Sequence, residues 1–244
     1  MITRHHLALS LICGLIPCTL LAGKDPILIM AVLAGIGIGS ILPDIHMKRP
    51  SKIRLLTAAW GLIGIGRILI APIMCLCYTI VAGISTTPND KRLTHSVPGI
   101  FLYWALFTSP LLATGILYAG TLFSEILLII SGSLLAGMCL HLAQDLCTRK
   151  GIVPLYPFTD LNVHGSIRPC DVHDPRIFRF HIQHAVVFLV VQIILTFAIL
   201  PSPFLVCCGF ISAMFCVILM AIQSDVHTRQ EAGSLSTAGE GANG

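Results

Sequence analysis

Asp44, His46, His95, His141 and Asp145 are side chains of metal-ligand type, and each stands at the end of an apolar stretch. His141 and Asp145 are spaced i, i+4, which places both on one face of a helix. Imidazole nitrogen and carboxylate oxygen are ordinary ligands of zinc and related divalent ions. Asp44 and His46 are two residues apart, a spacing that lets a loop or extended segment turn both toward one ion. His95 lies in Arg92-Leu93-Thr94-His95-Ser96, and His5 and His6 open the first apolar run. Each pattern alone has a plain structural explanation: a polar pair at a helix end, a carboxylate beside a basic loop, a histidine next to a helix cap formed by Thr94 or Ser96, or a snorkelling pair beside Arg4. Ionisable groups at membrane depth cost about 2.5–3.5 kcal/mol each at a helix centre, so their recurrence asks for a common reason.

The elements that must position them are membrane helices. The chain has 244 residues, 55% hydrophobic and only 11% charged, against about 25% charged in soluble domains. A spanning helix needs roughly 20 apolar residues. Leu7–Gly23, Pro26–Pro43, Val97–Tyr118, Leu122–Leu142, Val186–Leu200 and Phe204–Ile222 meet or approach that. The fold class expected is therefore all-α, a polytopic helical bundle of about six spans. Ile53–Gly83 is long for one span and short for two, and Gly61, Gly64, Gly66, Arg67 and Pro72 interrupt it; it reads as a re-entrant or broken segment. Gly35 and Gly39 form a G-x-x-x-G pair suited to close helix packing. Residues 1–226 read as one multi-pass domain, with a loop over 143–182, a C-terminal hairpin over 184–223, and a disordered tail over 227–244 rich in Gly, Ser and Ala.

The positive-inside rule orients the bundle. With the N-terminus in the cytoplasm and segment 53–83 returning to the side it left, every Lys and Arg except Lys24 and Arg67 falls inside. Both termini are then cytoplasmic and the protein resides in the cytoplasmic (inner) membrane. The same topology brings His5 and His6, Asp44 and His46, His95, and His141 with Asp145 to one depth on the inner face, although the ligands were not used to choose it.

Most of the ten cysteines lie inside apolar runs and read as small buried hydrophobes rather than disulfide or zinc-finger positions. Arg67 reads as a structural partner of Glu125 or of backbone carbonyls, or as a binder of phosphate or carboxylate. The polar stretch His164–His184 reads as a surface that meets anionic headgroups, or as groups supporting the metal site. There is no stripe of Lys and Arg with interleaved aromatics, so nucleic acid is not an expected partner.

Three blocks occur in a fixed order: Gly39-Ser40-Ile41-Leu42-Pro43-Asp44-Ile45; Arg92-Leu93-Thr94-His95-Ser96; and His141-Leu142-Ala143-Gln144-Asp145-Leu146-Cys147-Thr148-Arg149-Lys150-Gly151, followed by Tyr156-Pro157-Phe158. Over about residues 1–160 the chain resembles the YdjM-like family of LexA-regulated, membrane-bound, metal-dependent hydrolases. The resemblance implies Asp44, His95, His141 and Asp145 as metal ligands, with an N-terminal histidine as a further candidate. It also hints at phosphoester chemistry, since the family is thought to be distantly similar to zinc-dependent phospholipases C and phosphodiester nucleases. Two positions depart from the family pattern: His46 stands where the family has Asp, and Lys91 stands where it has His. Either His46 substitutes as a ligand, or this branch binds its metal differently, or it has lost activity.

The resulting expectation is a membrane-bound metal-dependent hydrolase holding a divalent ion, zinc first, on Asp44, His95, His141 and Asp145. His46 or His6 would complete the shell or act as general base. The expected substrate is a lipid or lipid-linked phosphoester at the cytoplasmic face, and the expected partners are membrane lipids. The alternatives are a metal-handling transporter and a non-catalytic adaptor with a structural metal.

Overall fold

The computed structural model describes residues 3–21, 25–46, 57–118, 121–169, 171, 174–197 and 202–230. Eight helical stretches follow one another: α1 (Thr3–Leu21), α2 (Pro26–Gly39), α3 (Thr57–Ile65), α4 (Ala71–Ala82), α5 (Val97–Tyr118), α6 (Thr121–Leu146), α7 (Arg176–Phe197) and α8 (Ser202–Gln223). Among the described residues, six stretches are long and apolar enough to cross a membrane: Pro26–Asp44, Gly61–Ala82, Val97–Leu117, Phe123–Leu146, Arg176–Leu195 and Phe204–Gln223; Gly61–Ala82 takes the place of the expected first span, Leu7–Gly23. Their outward faces carry large apolar side chains such as Ile80, Ile116, Phe197 and Ile222, as lipid contact requires.

α2 and α6 form the tightest pair. A Cβ on Gly39 would strike the Leu134 carbonyl, and one on Gly137 would strike the Ile36 carbonyl. One on Gly35 would lie 2.7 Å from the Ile130 oxygen. The expected G-x-x-x-G pair is thus the contact that lets two backbones touch, which is how helices associate in lipid. α1 packs against α2, α6, α7 and α8, and its buried Leu9, Cys13 and Ile16 join it to the C-terminal pair. All nine described cysteines are free, and Cys13, Cys18, Cys147 and Cys216 are buried.

The described part of segment 53–83, from residue 57 on, is one helix carrying a π-helical irregularity and not a hairpin. α3 and α4 run on as one helix through a π-helical turn, Gly66–Ile70. Pro72 falls in the first turn of α4, where a missing N–H is tolerated. Gly66 lies where a side chain would meet the Tyr103 hydroxyl. α3 touches the turn at Leu42–His46, while Tyr78 on α4 lies 3.5 Å from the Ser96 hydroxyl and 5.8 Å from the Tyr156 ring centre. Both halves are therefore held against the end of the bundle where α2 stops and α5 starts. Gly83, with φ +67°, closes the helix in the left-handed conformation that glycine favours.

Two boundaries differ from expectation. α7 begins at Arg176, ten residues earlier than its apolar run, because Arg176, Arg179, His181 and His184 sit on a helix that extends beyond the apolar zone. Residues 227–230 are not part of a disordered tail: they form a strand, β2 (His227–Gln230), antiparallel to β1 (Leu161–His164). Residues 231–244 lie outside the described residues. The start of α7 is stapled to this ribbon, since Arg176 bonds both oxygens of Asp174 and donates to the Ser166 hydroxyl at 2.6 Å.

Candidate metal centre

The chain of α2 leaves its helix at Ser40, whose hydroxyl donates to the Gly37 carbonyl at 2.8 Å. A 3-10 turn, Leu42–His46, follows and carries Asp44 into the bundle at φ −77°, ψ 25°. A second short turn, Lys91–Leu93, is capped by Asp90, which accepts from the Arg92 N–H at 2.9 Å. Thr94 then ties the two turns together by donating its hydroxyl to the Pro43 carbonyl at 2.7 Å. Ser96 caps α5 by accepting from the Gly99 N–H at 3.2 Å.

The end of α6 explains its block of residues. The Thr148 hydroxyl donates to the Asp145 carbonyl at 2.7 Å and accepts from the Gly151 N–H at 3.3 Å, which satisfies groups that a helix end leaves unpaired. Gly151 has φ +62° and packs against Val163, where any Cβ would collide. Thr148 and Gly151 therefore fix the exit of α6, and with it the carboxylate of Asp145 one turn earlier.

These devices deliver Asp44, His95, His141 and Asp145 to one place, all of them buried. His141 Nδ1 lies 2.7 Å from the Ser40 carbonyl oxygen. His95 Nδ1 lies 3.2 Å from the Lys91 carbonyl oxygen. A carbonyl only accepts, so each Nδ1 donates its proton and each ring turns its Nε2 inward. The two Nε2 atoms stand 3.2 Å apart. Asp44 Oδ1 lies 3.6 Å from His95 Nε2 and 3.8 Å from His141 Nε2. Asp145 Oδ2 lies 3.4 Å and 3.9 Å from the same two atoms. Ligands at 2.0–2.2 Å on a tetrahedral ion stand about 3.3–3.6 Å from one another, and these five separations lie within that range or a few tenths of an ångström from it.

His6 on α1 joins from the other side. Its ring stacks on His141 with centres 4.1 Å apart, its Nδ1 lies 2.8 Å from Gln144 Oε1, and its Nε2 lies 3.3 Å from Asp145 Oδ1. Gln144 in turn donates its amide to the Ser10 hydroxyl at 2.9 Å, which sets the amide so that its oxygen faces His6. Two overlapping groups could hold a cation, His6 with His141 and Asp145, and Asp44 with His95 and His141. The side chain of His46 lies outside the described residues.

The electrostatics fit a cation. Two buried carboxylates face the imidazoles, and burial pulls the His95 imidazole down to about 3, against the pull of Asp44. A buried negative charge needs a partner, and Lys91 supplies one at 2.8 Å from Asp145 Oδ2. The Nε2 atoms of His95 and His141 and the Asp44 carboxylate are a donor set for zinc-like ions.

Lys91, Gln144, Ser10 and Ser40 were not singled out from the sequence as site residues. Gln144 carried a signal, because it precedes Asp145 on a helix that is otherwise apolar. Ser10 and Ser40 carried none.

No curated protein and no solved structure matches this chain. The sequence profile of a family described as YdjM inner membrane protein does match, over residues 1–224. The match takes in α7 and α8, beyond the stretch to about residue 160 in which the resemblance was legible. The chain belongs to the YdjM inner membrane protein family.

Proposed function

We propose that the protein is a membrane-bound metal-dependent hydrolase acting on a lipid or lipid-linked phosphoester at the cytoplasmic face. The observation that carries this reading is the convergence of two buried imidazoles and two buried carboxylates, with His95 Nε2 and His141 Nε2 3.2–3.9 Å from each other and from Asp44 Oδ1 and Asp145 Oδ2. These four residues would hold the ion, zinc being the first candidate for a set of two imidazoles and two carboxylates. Such an ion supplies Lewis-acid polarisation of a phosphoryl group and activation of water near neutral pH.

The chain's own groups then have separate tasks. The Ser40 and Lys91 carbonyls fix the tautomers of His141 and His95, as metal-ligating histidines need. His6, held by Gln144 and stacked on His141, would take a proton beside Asp145. Arg92, Arg149 and Lys150 are exposed at the same end, which supports a cytoplasmic orientation. An apolar cavity of about 600 Å³ between α1, α2, α6 and α8, lined among others by Cys18, Leu28, Val32, Ala136 and Met214, would suit an acyl chain.

The near-complete burial of the four side chains favours a second reading, a structural ion in a closed site. Hydrolysis separates the two. Protein in proteoliposomes, stripped with chelator and then reloaded with zinc, should release phosphate or a phosphorylated headgroup from phosphoester lipids only after reloading. Reloaded protein that binds zinc yet cleaves none of a broad panel of such lipids would leave the structural reading standing.

A further inference from the structure

A cleft of about 220 Å³ opens beside His95, between the turn at Lys91–Leu93 and the loop that follows α6; Lys91, Arg92, Lys150, Gly151 and Asn162 line it. Three of these side chains are cationic, and none of the described lining residues is a carboxylate. Such a lining selects an anion.

The cations are arranged rather than scattered. Arg92 is held over the Tyr156 ring, 4.7 Å from its centre, and its Nε and Nη2 bond Asp90 at 3.2 and 3.0 Å. Its guanidinium therefore has a fixed plane, with Nε and Nη2 engaged by Asp90, and Nη1 would meet the phosphate oxygens. Lys91 reaches from the cleft wall to Asp145 Oδ2, so it touches both the cleft and the centre. The volume is below the roughly 300–1,000 Å³ of pockets that enclose drug-sized ligands. It suits a phosphorylated headgroup and excludes a whole lipid.

We propose that this cleft is a phosphate-binding subsite, with Arg92 and Lys150 holding the phosphate oxygens and Lys91 coupling the bound phosphate to Asp145. As the place where a substrate's phosphate sits, it rests on the hydrolase reading; as an anion site, it does not. A phosphate bound here stands against His95, so the ester bond it carries is presented to the centre. The shared chemistry is a phosphomonoester or phosphodiester group, whether on a lipid or on a soluble molecule.

Binding of inorganic phosphate to the full-length protein in detergent, with and without zinc, tests the proposal by calorimetry. Arg92→Gln and Lys150→Gln change exposed side chains, so both variants should fold. Each should weaken phosphate binding about tenfold or more, the worth of one charge-assisted hydrogen bond, while zinc content stays at the wild-type level. Unchanged phosphate affinity in both variants, or zinc-loaded wild type that binds no phosphate, would overturn it. Phosphate binding that falls in the variants of a protein holding no metal would keep the subsite and remove the hydrolase reading. Competition by phosphatidic acid in nanodiscs identifies a lipid headgroup as the source, and competition by glycerol phosphate alone identifies a soluble one; loss of the competitor's effect in Lys150→Gln supports the subsite in either case.

Discussion

His95 Nε2 and His141 Nε2 face each other at 3.2 Å across the end of the bundle, each ring locked by an Nδ1–H donated to a backbone carbonyl. Two ring nitrogens at that distance need either a shared proton or a cation between or beside them. The lock on His141 depends on Ser40, and Ser40 reaches His141 only because α2 and α6 touch backbone to backbone. Packing at three glycines thus sets the geometry of the centre.

That dependence predicts a contrast between two glycines. Gly39→Ala drives a methyl into the Leu134 carbonyl and should cost about 1–3 kcal/mol, the usual penalty of overpacking. It should also weaken metal binding through Ser40 and Asp44. Gly132→Ala on α6 meets nothing within 4 Å and should leave both unchanged. Thermal unfolding in detergent, followed with metal content, reads the difference.

Thr148 should act on Asp145 through the helix end. Thr148→Val removes the hydroxyl that serves the Asp145 carbonyl and the Gly151 N–H, and it should destabilise by about 1–3 kcal/mol. Thr148→Ser keeps both bonds and should restore stability. Equal melting temperatures for the two variants would contradict the role assigned to the hydroxyl.

Lys91 should compete with the ion for Asp145. Its ammonium lies 2.8 Å from Oδ2, and a positive charge beside a divalent cation opposes it. Lys91→Met should therefore raise zinc affinity by well over tenfold, since even two unit charges about 4 Å apart interact by about 4 kcal/mol at an effective dielectric near 20. A chelator competition titration measures this. Lower affinity in the variant would mean that Lys91 positions the carboxylate more than it repels the ion.

The staple at the start of α7 should be acid-sensitive. The Arg176 guanidinium beside Asp174 holds that carboxyl down at about 2. A depressed folded value stabilises above the ordinary carboxylate range, and the stabilisation is lost as pH falls from about 4 toward 2. Asp174→Asn should remove this part of the pH dependence and loosen the ribbon, visible as faster amide exchange at Val163 and Thr228.

The centre was legible in the sequence because its ligands stand at the ends of apolar runs, where a charged side chain has few other reasons to be. Asp44, His95, His141 and Asp145 could be found that way, and His6 shared the signal with its neighbour His5. What was hidden depends on long-range contacts. Lys91 reads as one more cytoplasmic cation until α6 brings Asp145 to it. The ribbon of Leu161–His164 and His227–Gln230 pairs segments separated by the whole C-terminal hairpin, and four residues of mixed polarity announce no strand. The helix through residues 57–82 was masked by Gly61, Gly64, Gly66 and Pro72; a π turn and a first-turn proline absorb those residues without breaking it.

The most direct measurement is the metal content of full-length protein, purified in detergent, by elemental mass spectrometry beside the His95→Ala/His141→Ala double variant. A folded variant is confirmed by its circular dichroism. Stoichiometric zinc or another divalent ion in the wild type, absent from the folded variant, is the predicted result. Equal content in both, or none in wild type prepared without chelator, would contradict a centre built on His95 and His141.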